Sequence, residues 1–258
     1  WNIIKEERGL KLGLCLCGGG AKGAYQAGVI KSLYGRGIKF NAISGTSIGS
    51  VNGYFIFTNN VEKLEEMWID IDSNVDHNIK IVNNTVDNSN LIDLLSNIND
   101  NNTQKLDFYV NYITIENNIP KEKIVNILNL SKEDMLNSIK YSSLLPFNPQ
   151  GTMGLNEQFM KDLSEGLYNG YNLDGGLVNN TLLKPLLDKN LDKIIVISTK
   201  HDYTLPNEVK NICTEDNVII VRPKTKFAKE DTLRFEKEFC KKLYHEGYEI
   251  GKNLNIFM

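Results

Sequence analysis

Histidine is scarce in this chain of 258 residues, with only His77, His201 and His245, so a histidine-based centre has few candidates. The four cysteines, Cys15, Cys17, Cys213 and Cys240, form no CxxC pair and no zinc-like spacing, which leaves no metal-ligand set. Cys15 and Cys17 lie two apart in an apolar run and point to one face of a strand, as buried thiols of a reducing compartment would. No apolar run approaches the roughly 18 residues of a membrane span, and Trp1 to Arg8 shows no secretory-signal pattern. These absences predict a cytoplasmic protein, peripheral at membranes at most, that works without metal or other cofactor. Acidic residues are missing from Arg8 to Val61, where six positive charges lie in a chain of net charge −3. The overall balance excludes a nucleic-acid footprint. The basic stretch is either a set of solvated lysines or a face that attracts anionic lipid headgroups.

What is present is a globular composition, 41% hydrophobic and 24% charged, compatible with a single domain over residues 1–258. Leu10 to Cys17 is an apolar strand, followed by a glycine turn and a small-residue helix from Ala21 to Tyr34. Phe40 to Ser44 is a second strand, Ile48 to Phe57 a buried helix, and Glu62 to Ile69 a further helix. Residues 71–104 change character: ten Asn in this stretch predict a flexible, lid-like insertion. Inside it Leu91, Ile92, Leu94, Leu95 and Ile98 form a short amphipathic helix capped by Ser89 and Asn90. Leu106 to Ile115, Ile124 to Leu128, Lys193 to Thr199 and Val218 to Val221 read as strands. Ser131 caps a helix to Lys140, and Lys229 to Leu254 reads as one long helix. Strands alternating with helices predict an α/β fold with a mainly parallel sheet covered on both faces.

Three glycine motifs carry the chemistry. Gly18-Gly19-Gly20-Ala21-Lys22-Gly23 follows a strand and opens a helix. A dinucleotide fingerprint would have an acidic residue about 20 positions later, but none occurs before Glu62, and the Gly-Lys-Ser/Thr ending of a Walker loop is missing. What remains is a turn whose backbone N–H groups converge on an anion, as an oxyanion hole requires. Gly45-Thr46-Ser47-Ile48-Gly49 sits between a strand and a helix, the setting of a nucleophile elbow, with Gly45 and Gly49 permitting the sharp turn. Serine needs a base. Ser47, Asp174 and His201 stand in the chain order of an α/β-hydrolase triad, which would make an esterase or thioesterase of soluble esters. Alternatively, Asp174 itself, in Asp174-Gly175-Gly176, is the base.

This ordered set resembles the patatin-like phospholipase family. Tyr141-Ser-Ser-Leu-Leu-Pro146 and Asp174-Gly-Gly-Leu-Val-Asn-Asn-Thr181 are similar too, so the likeness runs from about Leu10 to Thr199. The resemblance implies a three-layer α/β/α fold and a Ser-Asp dyad without histidine, with Ser47 as nucleophile and Asp174 as general base. It assigns the oxyanion hole to the backbone around Gly18, Gly19 and Gly20, with Lys22 and Gly23, and the base turn to Gly175 and Gly176. The implied substrate is a fatty-acyl ester of a phospholipid, lysophospholipid or related lipid at a membrane surface. The chain departs from the family at Leu182, where proline is common, at Phe147-Asn148-Pro149, and in the Asn-rich stretch. These departures bear on the acyl pocket. A non-catalytic lipid-binding module would keep the fold without needing Ser47 and Asp174.

Overall fold

The computed structural model describes residues 9–71, 79–213 and 216–257. Its centre is β1 (Leu12–Leu16), whose five residues are all buried, as an apolar run flanked by parallel neighbours on both sides should be. β2 (Ala42–Thr46) and β8 (Lys193–Ile197) pair with it in parallel. The seven-stranded sheet has the order β6-β5-β2-β1-β8-β9, where β5 is Asp107–Glu116, β6 Ile119–Asn126 and β9 Val218–Val221. β7 (Asn172–Asp174) adds to β5 off this path.

Alternation along the strands sorts the side chains into two layers. Leu14, Leu16, Ile195 and Ile197 face the larger core. Above them lie α1 (Gly23–Gly35), α2 (Ile48–Phe57) and α3 (Val61–Ile69), with the C-terminal α9 (Lys237–Lys252). Cys15, Cys17, Ile194 and Val196 face the other side, against Leu183, Leu186 and Leu205. That side is covered by short helices, α7 (Lys184–Leu187) and α8 (Asn207–Lys210). The result is the α/β/α arrangement expected from the alternating elements. A third cluster packs Ile113 and Ile115 of β5 under Phe159 and Leu163 of α6 (Leu155–Ser164), a helix the sequence reading missed. α1 and α9 cross at backbone contact: a Cβ on Gly28 would lie 2.0 Å from the Tyr244 carbonyl, and one on Gly247 1.9 Å from that of Tyr25.

Two expectations change. The C-terminal helix is not continuous from Lys229. A 3₁₀ turn, Lys229–Leu233, ends at Arg234 (φ −87, ψ 70), and α9 starts only at Lys237. The break lets Phe235 turn inward and stack on Trp68, with ring centroids 6.3 Å apart. Between Ile81 and Ser96 the Asn-rich stretch is built largely of regular elements, while 97–104 run without helix or strand; 72–78, including His77, lie outside the described residues. β3 (Ile81–Val82) and β4 (Thr85–Val86) form a hairpin, and α4 (Ser89–Ser96) follows. The hairpin turns at Asn83 and Asn84, with φ of 49 and 55. Asn117 and Asn118, at 52 and 61, join β5 to β6 in the same way. Asparagine tolerates this left-handed region, which two-residue hairpin turns demand.

The caps of α4 also differ. Ser89 and Asn90 stand in its first turn, Asn88 is the N-cap, and the Ser89 amide donates to Asp87 Oδ1 at 3.0 Å. Leu95 and Ile98 are buried, and Leu91, Ile92 and Leu94 pack on the main core, so the apolar face of α4 is already covered by protein. α5 (Lys132–Ser142) has its expected cap, with Ser131 Oγ accepting the Asp134 amide at 3.1 Å.

Candidate active site

Ser47 and Asp174 meet because two strands end against one neighbour. β2 runs parallel to the first half of β5 and stops at Thr46, opposite Asn111. β7 runs antiparallel along the same edge and stops at Asp174, opposite Tyr112. The carboxyl ends of the two strands therefore abut. Ser47 Oγ donates to Asp174 Oδ2 at 2.5 Å, with the residues only 8% and 2% exposed.

The Ser47 backbone has φ 55 and ψ −125, a conformation that costs a non-glycine residue on the order of 1–3 kcal/mol and must be imposed by its surroundings. Its N–H donates to Ser142 Oγ at 2.9 Å, and its carbonyl accepts from Ser50 Oγ at 2.6 Å. Around it, Gly45 and Gly49 let three segments approach. A Cβ on Gly45 would lie 2.6 Å from the Gly49 carbonyl, and one on Gly49 2.2 Å from that of Leu16.

Asp174 is relaxed in backbone but isolated from water. Burial pushes its carboxyl from the ordinary 3.8 up to about 7, although hydrogen bonds from Ser47 and from the Gly176 amide, the latter at 2.7 Å to Oδ1, pull it down. No cation stands among the causes of its shift. Asn111, fully buried, braces both strand ends. It accepts from Thr46 Oγ1 at 2.7 Å and donates to Glu122 Oε1 and to the Asn179 carbonyl, each at 2.9 Å. The Gly175 backbone runs so close that a Cβ there would lie 2.6 Å from the Asn111 carbonyl.

The glycine turn is held from behind. Thr199 Oγ1 and Asn180 Nδ2 donate to the Gly18 carbonyl at 2.6 and 3.3 Å, and Gln26 Nε2 donates to the Cys17 carbonyl at 3.1 Å. Gln26 is fixed in turn by Asn52, and Asn52 by Trp68 Nε1, in a chain of buried polar groups. Gly20 has φ 57, and a Cβ there would lie 2.0 Å from the Thr232 carbonyl. Among the described residues the Gly19 and Gly20 amides have no acceptor. The Lys22 and Gly23 amides, included in the expected anion-binding set, instead close the turn onto the Gly19 and Gly20 carbonyls. The Lys22 side chain turns away, with Nζ 5.7 Å from the centre of the Phe227 ring.

Beside Ser47 and Gly20 lies a cavity of about 200 Å³, whose walls include Ile48, Met67, Trp68, Leu91, Leu145 and Phe235. His201 is not there: its Nδ1 lies 3.7 Å from Asp202, and it bonds neither Ser47 nor Asp174. His245 is exposed beside Tyr244. The Ser47–Asp174–His201 triad is therefore not assembled. The basic stretch also disperses, because Lys31 pairs with Glu62 and Glu65 while Arg36 bonds the Gly251 and Leu254 carbonyls. Among the described residues no group of His, Cys, Asp and Glu could hold a metal ion, and no helix is long and apolar enough to cross a membrane.

Sequence reasoning missed Ser142, Asn111, Gln26 and Asn52. Asn111, Gln26 and Asn52 are polar residues in apolar stretches that bond residues distant in the chain, so only the unexplained polarity could have marked them. Ser142 instead lies in the Tyr141–Pro146 stretch that the family resemblance singles out without a role for it.

Residues 14–187 match the sequence profile described as Patatin-like phospholipase. Over 52 residues the chain is 56% identical to Lysophospholipase nte1 of Aspergillus terreus, covering 20% of this chain and 3% of that protein. It is 51% identical over 52 residues, with the same coverage, to Lysophospholipase NTE1 of Mycosarcoma maydis. The match thus spans a small fraction of these relatives. Among solved structures, VipD from Legionella pneumophila aligns with 94% of this chain and 66% of its own at 12% identity, with a TM-score of 0.47. With its profile match running from the first strand beyond the Asp-Gly-Gly turn, the chain belongs to the patatin-like phospholipase family.

Proposed function

We propose that this chain is a lipid acyl hydrolase that cleaves fatty-acyl esters of phospholipids or lysophospholipids through a Ser47–Asp174 dyad. The observation that carries the reading is the direct 2.5 Å bond between Ser47 Oγ and a buried carboxyl raised to about 7. An ordinary carboxylate is too weak a base for a serine hydroxyl, and the raised value brings it into the working range of general-base catalysis. Asp174 takes the Ser47 proton as Oγ attacks the ester carbonyl. The oxyanion forms against the free Gly19 and Gly20 amides, where each donor contributes on the order of 3–4 kcal/mol. Asp174 then protonates the leaving alcohol or lysolipid and later activates the water that clears the acyl-enzyme. No step needs a metal or cofactor.

The apolar cavity beside Ser47 accepts the acyl chain, and the stretch from Ile79 to Leu91 serves as a wall of that cavity within a single domain rather than as a free lid. An intact Ser47 and Asp174 in bonding contact favour an enzyme over a lipid-binding module. Substrate is met at a membrane surface, by peripheral contact.

A fluorophosphonate probe tests this. It should label Ser47, as mapped by mass spectrometry, and mixed-lipid incubation should release free fatty acid. Wild-type hydrolysis by Ser47→Ala, or failure of the folded wild type to label, would sink the reading.

A further inference from the structure

The segment Tyr141-Ser-Ser-Leu-Leu-Pro146 takes no part in the chemistry above, yet it touches the nucleophile, the base and the cavity wall. Ser142, buried at the end of α5, accepts the Ser47 N–H at 2.9 Å. Two residues on, the Leu144 carbonyl accepts the Asp174 amide at 3.0 Å. The Leu145 carbonyl accepts from Val86 at 2.8 Å, in the hairpin that walls the cavity. The hairpin is fastened again by Asn88 Nδ2, which donates to the Lys140 carbonyl at 2.9 Å and to Ser143 Oγ at 3.0 Å. Consecutive residues of one segment thus hold the nucleophile, the base and the cavity wall.

Among these contacts the one to Ser47 has no local substitute. Ser47 lies one residue past the last ladder pairing of β2 and is the N-cap of α2, so neither element supplies an acceptor for its N–H. Its other anchor, Ser50, binds the carbonyl from the first turn of α2 and leaves the N–H side of the peptide unheld. A buried N–H without an acceptor is costly, and a residue at φ 55 keeps that angle only while its surroundings impose it. α5 gives the acceptor a firm mount, because its Leu136 and Ile139 are seated in the main core.

We propose that Ser142 is a positioning residue: its hydroxyl oxygen fixes the Ser47 peptide in the strained geometry that aims Oγ at Asp174. The inference rests on the Ser47–Asp174 reading.

The experiment compares full-length wild type with Ser142→Ala and Ser142→Thr. It uses a soluble short-chain ester, a small fluorophosphonate and a thermal melt. In folded Ser142→Ala, kcat should fall about 10- to 100-fold, the order of loss that misplacing a reacting group produces. KM should stay within about two-fold, because the acyl cavity is untouched, and labelling of Ser47 should slow in parallel with kcat. The acidic limb should move to higher pH, since the Ser47 bond is one of the two that hold the Asp174 carboxyl down. A residue needed only for folding would move none of these per folded molecule. Ser142→Thr keeps the hydroxyl and should recover most of kcat. Should the alanine protein fail to fold, Ser142→Cys, of similar size but a poor acceptor, carries the same comparison. Folded Ser142→Ala with wild-type kcat and labelling rate, or a folded threonine variant as slow as alanine, overturns the proposal. If wild type itself does not label at Ser47, it is the dyad reading that fails.

Discussion

Ser47 and Asp174 each sit at the end of a strand, but holding them there costs the protein in different ways. At Ser47 the cost is conformational: the backbone is held at φ 55 and ψ −125, while the neutral hydroxyl asks little of its environment. At Asp174 the backbone is ordinary, φ −48 and ψ 126, and the cost is electrostatic, a carboxyl kept from water with no cation beside it among the described residues. Conformational cost is independent of pH, whereas desolvation cost vanishes when the group is protonated. The serine half is therefore ready at any pH, and the aspartate half decides when the pair can work.

The comparison is broken most directly by removing the charge alone. Asp174→Asn keeps the shape and should lower kcat/KM by on the order of 10⁴-fold, as loss of one member of a catalytic unit does. An asparagine protein within ten-fold of wild type would mean that Asp174 is not the base. In wild type, log kcat/KM should rise with pH and level off above about 7, the value to which burial pushes Asp174. Imidazole titrates nearby, so the limb should be followed with temperature: carboxyl ionisation is nearly athermal, and a limb that shifts strongly on warming would point to histidine.

Stability gives a smaller and oppositely directed effect. Because the folded carboxyl is raised from 3.8 to about 7, its contribution is fully present below about pH 4 and is lost as pH rises through 7. Asp174→Asn should therefore be more stable than wild type above pH 7, by at most about 4 kcal/mol. The difference should close near pH 4. Ser47→Gly relieves backbone strain but also takes away the hydroxyl that bonds Asp174, so its stability relative to wild type should be highest near pH 4 and fall as pH rises through 7. Melts across pH check both, and a pH-independent gain for Asp174→Asn would contradict the desolvation account. The smallest effect is reserved for His201→Ala and His245→Ala, which should keep kcat/KM within a few-fold. A dead His201→Ala that melts normally would restore the triad.

The serine half was also the more legible in the sequence. The strand, elbow and α2 are contiguous, and the glycines that the turn requires lie two residues either side of Ser47. Asp174 was visible as Asp-Gly-Gly, but its approach to Ser47 depends on β2 and β7 sharing an edge of β5, a relation between segments far apart in the chain. The supports were invisible for the same reason: Ser142 and Asn111 look like ordinary polar residues until the fold supplies their partners.

In the Asn-rich stretch asparagine has positions to fill that composition does not show. Asn83 and Asn84 make a tight turn, and several others act as staples. Asn101 Nδ2 donates to Asn60 Oδ1 at 3.0 Å, and Asn102 Nδ2 to the Phe57 carbonyl at 2.9 Å. The amphipathic period of α4 was read correctly, but periodicity does not say whether an apolar face meets lipid or core. Here it meets the core. The C-terminal helix was overextended because nothing in its period marks the inward turn at Phe235.

β5 acts as a ruler for the dyad. Thr46 and Asp174 are opposite its consecutive residues Asn111 and Tyr112, so the gap between the two strand tips is set by a single peptide unit of a third strand. One residue inserted there would drive the tips apart by about 3.3 Å and reverse the facing of every later side chain. One inserted at the Asn117–Asn118 bend would lengthen a loop beyond the last of those pairings. A change of length is thus less damaging to the dyad at the far end of β5 than at its middle.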